Sequence, residues 1–373
     1  MLIELLLLTL LFVFSYANVA YQHSYKELML FFIFPILILI TVRQLGYDLN
    51  NYYSIYSEIS NLDFSLITFN NSVGLLNKKY EPTFHILVHF SSYYNLGFRG
   101  VLFLFALMTL LFLSLSSLIT GVKFSPFISA YILIAFLPGP YEAIRSAIAI
   151  VISLVAIAFF SNRSYLTSFL FILLAFFFHK TIILMPLLYF LYCFARYLLL
   201  SDRLIYAIIL FAFPITLILL NVVIDFLGFN NPVLVSINAI LMRDGKNSFE
   251  NSTELLKYIL ILGRCLFVFC LVYFINKNIS SLFLKDKNIR VSIRMVNLLV
   301  FLSISLMLSN QFIIASRVAE LSFVLVAFLL VKVLTFVSNR KSNLLLHFSC
   351  FAILVTNLVF VFLMYLLPSG VPV

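Results

Sequence analysis

Only one residue in ten of this chain is charged, so the ionisable side chains that interrupt its apolar runs are the first to be read for chemistry. Arg145 opens one such run in Ile144-Arg145-Ser146, and His179 closes the next in Phe178-His179-Lys180. The two runs meet at a short polar turn, Ser161-Asn162-Arg163-Ser164. Arg145 precedes Arg163 by 18 residues (163 − 145) and His179 follows it by 16 (179 − 163). At ~1.5 Å of rise per helical residue, both lie roughly 25 Å from the turn. A hairpin of two helices therefore brings a guanidinium and an imidazole to one membrane face, where other segments can join them in a site.

Arg43, Asp48, Glu81, Glu142, Lys180, Arg317 and Glu320 are expected on or just inside the same face. Interfacial anchoring and structural ion pairing form the plainer account of such a set. A functional site is favoured because ionisable residues at a membrane boundary so often serve function, and because no positive-inside bias keeps arginines on an outer face. Arginine rather than lysine at 43, 145 and 317 has a chemical meaning. Its planar fork grips phosphate oxygens bidentately and stays charged near lipid, so three forks suit a diphosphate. No Asp-x-Asp or Glu-x-Asp element occurs to carry a metal-bound diphosphate. No metal is expected, and the arginines would have to neutralise the leaving group themselves.

The elements that must position these groups are membrane helices. Hydrophobic residues make up 64% of the chain and its mean hydropathy is +1.13, far outside soluble composition. Expected spans are 2–17, 27–42, 99–119, 125–138, 144–161, 165–180, 182–200, 204–226, 255–275, 292–310, 318–337 and 344–366. The fold class is all-α: a polytopic integral membrane protein of roughly twelve transmembrane helices. It forms one transmembrane domain over 1–373 with two longer outer-face loops at 43–98 and 227–254. Alternating the spans gathers Lys123, Arg163, Arg196, Arg203, Arg290 and Arg340 on one face, which is cytoplasmic by the positive-inside rule. The net charge of +10 resides largely in such loops, so nucleic acid is not an expected partner. Cys193, Cys265, Cys270 and Cys350 lie inside apolar runs and have neither disulfide nor zinc spacing. The first run carries Glu4 and no basic leader, and is taken as a retained span.

The loop at 43–98 has structure of its own. Asn51-Tyr52-Tyr53-Ser54-Ile55-Tyr56 spaces its aromatics for one face of an interfacial helix. A second helix is expected over 81–95, started by Pro82, with Phe84, Leu87 and Val88 on one side and Glu81, His85 and His89 on the other. That polar stripe alone is a weak zinc candidate. Arg264, in the middle of its span, must face a cavity or a partner. It either lines a lipid-diphosphate groove or pairs with a buried carbonyl. The loop at 227–254 is either a mobile lid or an interfacial helix.

Five segments together resemble a known family. Val42-Arg43-Gln44-Leu45-Gly46-Tyr47-Asp48 followed by Tyr52, then Tyr80-Glu81-Pro82-Thr83-Phe84, Ile144-Arg145-Ser146-Ala147-Ile148-Ala149, Phe178-His179-Lys180-Thr181 and Ser316-Arg317-Val318-Ala319-Glu320 occur in order. They resemble the EpsG-like branch of the Wzy-type O-antigen and exopolysaccharide polymerases. The chain departs from that pattern at Ser146, where the family commonly has glutamine.

The resemblance implies glycosyl transfer at the outer leaflet of a bacterial inner membrane, on its periplasmic face. A glycan on undecaprenyl diphosphate would move onto the next lipid-linked repeat unit without a cofactor. Membrane lipid is implied as a partner, and a chain-length regulator and a flippase are candidate protein partners. Arg145 and Arg317 are then assigned to the diphosphate, Arg264 to the same groove, and Arg43 either to a third cation site or to orienting Asp48. Glu81, His179 and Asp48 compete for the role of base, with Glu81 ranked first because a carboxylate near lipid can have its pKa raised. Glu142, Glu320 and Tyr52 support the site, and the rings of Tyr52, Tyr53, Tyr56, Tyr93 and Tyr94 offer flat faces to sugars. A lipid-linked oligosaccharide transporter, or a related membrane glycan ligase or acyltransferase, is the alternative.

Overall fold

The computed structural model describes residues 2–21, 35–41, 49–60, 81–136, 143–211, 286–308 and 312–336, with a few scattered positions elsewhere between 33 and 358. Every regular element among them is helical. We label them α1 (Leu2–Tyr21), α2 (Leu49–Ser60), α3 (Pro82–Tyr93), α4 (Gly97–Thr120), α5 (Phe124–Ala135), α6 (Ile144–Ser161), α7 (Tyr165–Phe178), α8 (Leu184–Tyr197), α9 (Lys287–Leu308) and α10 (Phe312–Phe336). A 3-10 turn, Lys180–Ile183, joins α7 to α8.

Among the described residues three helices, α4, α6 and α9, are long and apolar enough to cross a membrane, and α5, α7, α8 and the stretch Leu6–Val19 are shorter apolar helices. The expected spans at 27–42, 204–226, 255–275 and 344–366 fall largely outside the described residues, as does the loop at 227–254. The observed helices begin and end within a few residues of the expected ones. α6 coincides with the expectation at both ends, because its apolar run is bounded by polar residues on each side.

The chain divides into two compact units. The first holds residues 1–183 together with 279–291 and 327–373. Its central helix is α6, nearly all of whose side chains are buried. The polar residues of α6 are tolerated there because each hydroxyl returns to its own backbone: Ser146 donates to Ala143 O at 2.9 Å, Ser153 to Ala149 O at 2.8 Å and Ser161 to Ile157 O at 2.9 Å.

α6 ends by reversing direction at Asn162-Arg163. Arg163 takes φ +65°, the left-handed position that usually falls to glycine, and Ser164 N–H closes back on Phe159 O at 3.0 Å. The returning helix α7 is pinned to α6 by the Ser168 hydroxyl, which donates to Ala156 O at 2.8 Å, and by the stacked rings of Phe159 and Phe171, 5.4 Å apart. The hairpin expected from spacing is thus formed.

α3 and α4 make a second antiparallel hairpin. Its tight turn needs positive φ at Asn95 and Gly97, and the Ser91 hydroxyl donates to Gly97 O at 2.6 Å. A Cβ on Gly100 would collide with Leu96 Cβ in the turn and lie 2.6 Å from Ser91 Oγ of α3, so the turn leaves no room there for a larger residue without a shift. Farther along, Phe84 of α3 packs on Phe105 of α4 at 5.8 Å, and Phe105 packs on Phe178 at the end of α7 at 6.3 Å. α1 is held to α5 by Asn18, whose amide donates to Ser125 Oγ at 2.9 Å and Ser129 Oγ at 2.7 Å, the kind of polar contact that glues apolar helices together.

The second unit comprises 184–278 and 292–326. Its described polar contacts centre on Tyr192, which donates to Asp202 Oδ1 at 2.9 Å and lies under the Arg294 guanidinium at 5.3 Å. Tyr206 stacks on Phe301 with ring centroids 5.1 Å apart.

Candidate active site

Glu81 joins Arg145 to His179. Pro82 supplies the fixed φ that suits the first position of α3, and Glu81 precedes it in extended conformation, φ −72° and ψ 144°. Its side chain is therefore free to leave the helix axis and meet the α6/α7 hairpin. Arg145, in the first turn of α6, ion-pairs through Nη1 with Glu81 Oε2. His179, which caps α7, places Nδ1 at 3.1 Å from Glu81 Oε1. Thr83 locks the arrangement by donating to Phe177 O at 2.7 Å, so the start of α3 is tied to the end of α7 on both sides of the carboxylate.

The guanidinium of Arg145 is also held flat. Its central carbon stands 5.1 Å from the Tyr52 ring centroid and 5.6 Å from that of Phe84. Tyr52 is itself 3% exposed and packs on Phe84 at 5.8 Å. Tyr52 therefore supports Arg145 from beneath and does not offer its face to a sugar, contrary to the expectation from sequence. The sequence reading set Phe84 on the side of its helix away from Glu81; its ring nonetheless reaches the site through Arg145.

The site is accessible but poorly solvated: the side chains of Arg145, His179 and Glu81 are 19%, 18% and 8% exposed. Burial pushes the Glu81 carboxyl upward. The hydrogen bond from His179 and the charges of Arg145 and His179 together outweigh that, and the net direction is downward from 4.5. The expectation of a raised pKa is corrected on this point, because desolvation acts here beside a guanidinium and a hydrogen-bonding imidazole. A carboxylate with a lowered folded pKa contributes stability that is complete above its unfolded value and is lost as pH falls through the folded value. Thermal unfolding of the protein in detergent is accordingly expected to show no loss from this group between about pH 8 and pH 5, and a loss only in more acidic buffer.

Glu81 as an anion can only accept, so Nδ1 of His179 is the donor in their contact. Nε2 is buried and has no hydrogen-bond partner among the described residues. A carboxylate behind one imidazole nitrogen and an unpartnered nitrogen on the other hold the ring in a fixed orientation.

The remaining sequence candidates divide three ways. Arg43, Asp48, Glu142 and Arg264 lie outside the described residues. Arg317 has a place in α10, but its side chain, like that of Lys180, lies outside them. Glu320 is buried in the second unit. His85 and His89 do not face away from Phe84 and Val88: all four are buried, because α3 is enclosed by α2, α4 and α7 around more than one of its faces. Among the described residues no three His, Cys, Asp or Glu side chains converge as metal ligands.

Apolar helices of spanning length, with a cation, a carboxylate and an imidazole gathered at one end of a helical hairpin, define a membrane protein that has an enzyme-like polar site. The chain belongs to the EpsG family, whose model matches residues 26–369. That family is one of Wzy-like polymerases, so the protein is a membrane glycosyltransferase-like enzyme in class. No curated protein and no solved structure matches the chain.

Proposed function

We propose that the protein polymerises a bacterial polysaccharide by moving a glycan from undecaprenyl diphosphate onto the next lipid-linked repeat unit, at the outer leaflet of the inner membrane. The observation that carries this is the three-residue cluster in which Glu81 holds both Arg145 and His179. Its chemistry matches the two needs of the transfer, a cation for the leaving diphosphate and a base for the attacking hydroxyl.

The step divides among the residues as follows. The acceptor sugar hydroxyl gives its proton to Nε2 of His179, and its oxygen bonds to the anomeric carbon of the donor glycan. The bond from that carbon to the diphosphate oxygen breaks, and its electron pair stays with the diphosphate. Arg145 meets the growing negative charge, since a guanidinium has donors enough to serve Glu81 and a phosphate together. Glu81 holds the imidazole in its reactive tautomer and stabilises the imidazolium until solvent takes the proton. From the sequence alone, Arg317, Arg43 and Arg264 are proposed for the remaining diphosphate charge, Asp48 as a rival base, and Glu142, Glu320 and Tyr52 as supporting residues. The chemistry so assigned draws on protein side chains alone.

Purified protein in proteoliposomes with lipid-linked repeat units tests this directly. A ladder of products differing by one repeat is the expected result, and it disappears in His179→Ala, consistent with the 10²- to 10⁴-fold typically lost with a general base. Transbilayer movement of the lipid without new glycosidic bonds would identify a transporter and sink the proposal.

A further inference from the structure

Glu81 stands at the N-cap of α3, yet its carboxylate makes no capping bond to the helix. It goes instead to Arg145 on α6 and His179 at the end of α7. An N-cap side chain ordinarily accepts from the orphan N–H groups of the first turn, so α3 begins without the group that usually fixes its start. Pro82 at the first position and the Phe84 N–H, which closes on Glu81 O at 3.1 Å, begin the helix locally. Neither says where that first turn lies against the α6/α7 hairpin.

Thr83 supplies that information. Its hydroxyl donates to Phe177 O at 2.7 Å, a carbonyl in the last turn of α7 and 94 residues away in the chain. Thr83 lies two residues after Glu81 and Phe177 two before His179, so the two contacts pair the segments in opposite chain sense. A slip of one residue breaks both. The apolar contacts nearby, Phe84 on Phe105 at 5.8 Å and Phe105 on Phe178 at 6.3 Å, bring the helices together but tolerate sliding, since apolar burial has no direction. A hydrogen bond has one.

The two partners of Glu81 depend on this register unequally. Arg145 reaches the carboxylate through a long side chain and a full charge, so its pair survives a small displacement of α3. His179 sits on backbone already pinned by its own chain, its N–H bonded to Ala175 O at 2.9 Å and its carbonyl accepting from Ile182 N–H at 3.2 Å. Its Nδ1 meets Glu81 Oε1 at 3.1 Å, with little range to spare. A shift of α3 by ~1 Å away from α7 takes that contact out of hydrogen-bond range.

We propose that Thr83 is a positioning residue of the site: its hydroxyl holds α3 in register with α7 and so keeps the Glu81–His179 contact, which the Glu81–Arg145 pair alone does not secure. The inference rests on the polymerase reading, in which His179 takes the acceptor proton, and adds to it a residue that acts through the cluster. The plainer account is a bond that stabilises the fold and leaves the chemistry alone.

Thr83→Val keeps the shape of the side chain and removes the donor. In proteoliposomes with lipid-linked repeat units its kcat is expected to fall about tenfold, with the donor KM unchanged because Arg145 keeps its place. Thr83→Ser restores the hydroxyl and is expected within about twofold of wild type. Thr83→Ala lacks the hydroxyl as well, and serves where valine reduces the amount of folded protein. In full-length protein carrying isotope-labelled histidine, the Nδ1 NMR signal of His179, assigned by its disappearance in His179→Gln, is expected to move in Thr83→Val and Thr83→Ala and to stay in Thr83→Ser. Valine and alanine variants that join repeats at the wild-type rate per folded molecule would overturn the assignment. So would a serine variant as impaired as either, or a His179 signal that none of them moves. Failure of the polymerase reading looks different: wild-type protein then joins no repeats, while the His179 signal still reports whether Thr83 holds the contact.

Discussion

Arg145→Lys is expected to stop chain extension, with a loss on the order of 10³-fold in rate, while the protein still accumulates in the membrane. Lysine keeps the positive charge and can still pair with Glu81, so the buried carboxylate is not stranded. It loses the planar fork. An ammonium cannot lie flat over Tyr52 and Phe84 while donating to Glu81 and to a phosphate together. The defect is expected in both kcat and the KM for the lipid-linked donor, measured as ladder formation against donor concentration with protein normalised by immunoblot. Arg145→Ala is a poorer probe, because leaving the Glu81 carboxylate buried without its cation costs about 3–5 kcal/mol and threatens folding. An Arg145→Lys protein that extends chains at wild-type rate removes this residue from the diphosphate site.

The second large effect belongs to Glu81→Gln. The substitution conserves shape, and an amide can still reach both Arg145 and His179. What it removes is the charge that keeps the proton on Nδ1. An amide N–H can instead donate to Nδ1, which moves the imidazole proton to Nε2 and leaves no lone pair for the acceptor hydroxyl. A fall in kcat of about 10²- to 10⁴-fold is expected, by analogy with losing the carboxylate behind a catalytic histidine. The donor KM is expected to hold steady or drop, since Arg145 loses a competitor for its charge. That split separates Glu81 from Arg145, where donor KM rises. Activity within a few-fold of wild type in Glu81→Gln would mean that Glu81 is only a structural anchor for Arg145.

The two variants act through one contact network, so their effects are not expected to add. If Glu81 serves by placing Arg145 and His179, the double variant Glu81→Gln/Arg145→Lys is little worse than the more severe single one. Independent roles would instead multiply the losses.

Much of this was legible in residue order, for a physical reason. Hydropathy of +1.13 and long apolar runs determine a membrane protein, since no soluble core could bury that surface. The helical rise is constant, so equal distances from the Ser161–Ser164 turn place Arg145 and His179 at one end of a hairpin before any contact is known. Pro82 marks the start of α3, and therefore where Glu81 must sit. Glu81 and its partners, however, are 64 and 98 residues apart in the chain, and helical period says nothing about which side chain meets which across such separations.

Packing alone decided that Glu81 and His179 are one hydrogen-bonded pair. Packing also reversed the expected direction of the Glu81 pKa, because the balance between desolvation and the neighbouring Arg145 and His179 depends on distances that only the fold sets. It took Tyr52 from the sugar-facing tyrosines and laid it under Arg145, while leaving Tyr93 and Tyr94 open at the tip of α3. Local chemistry chose the residues and the end of the helices at which they gather; the meeting of α2, α3, α6 and α7 chose which of them touch and which remain exposed.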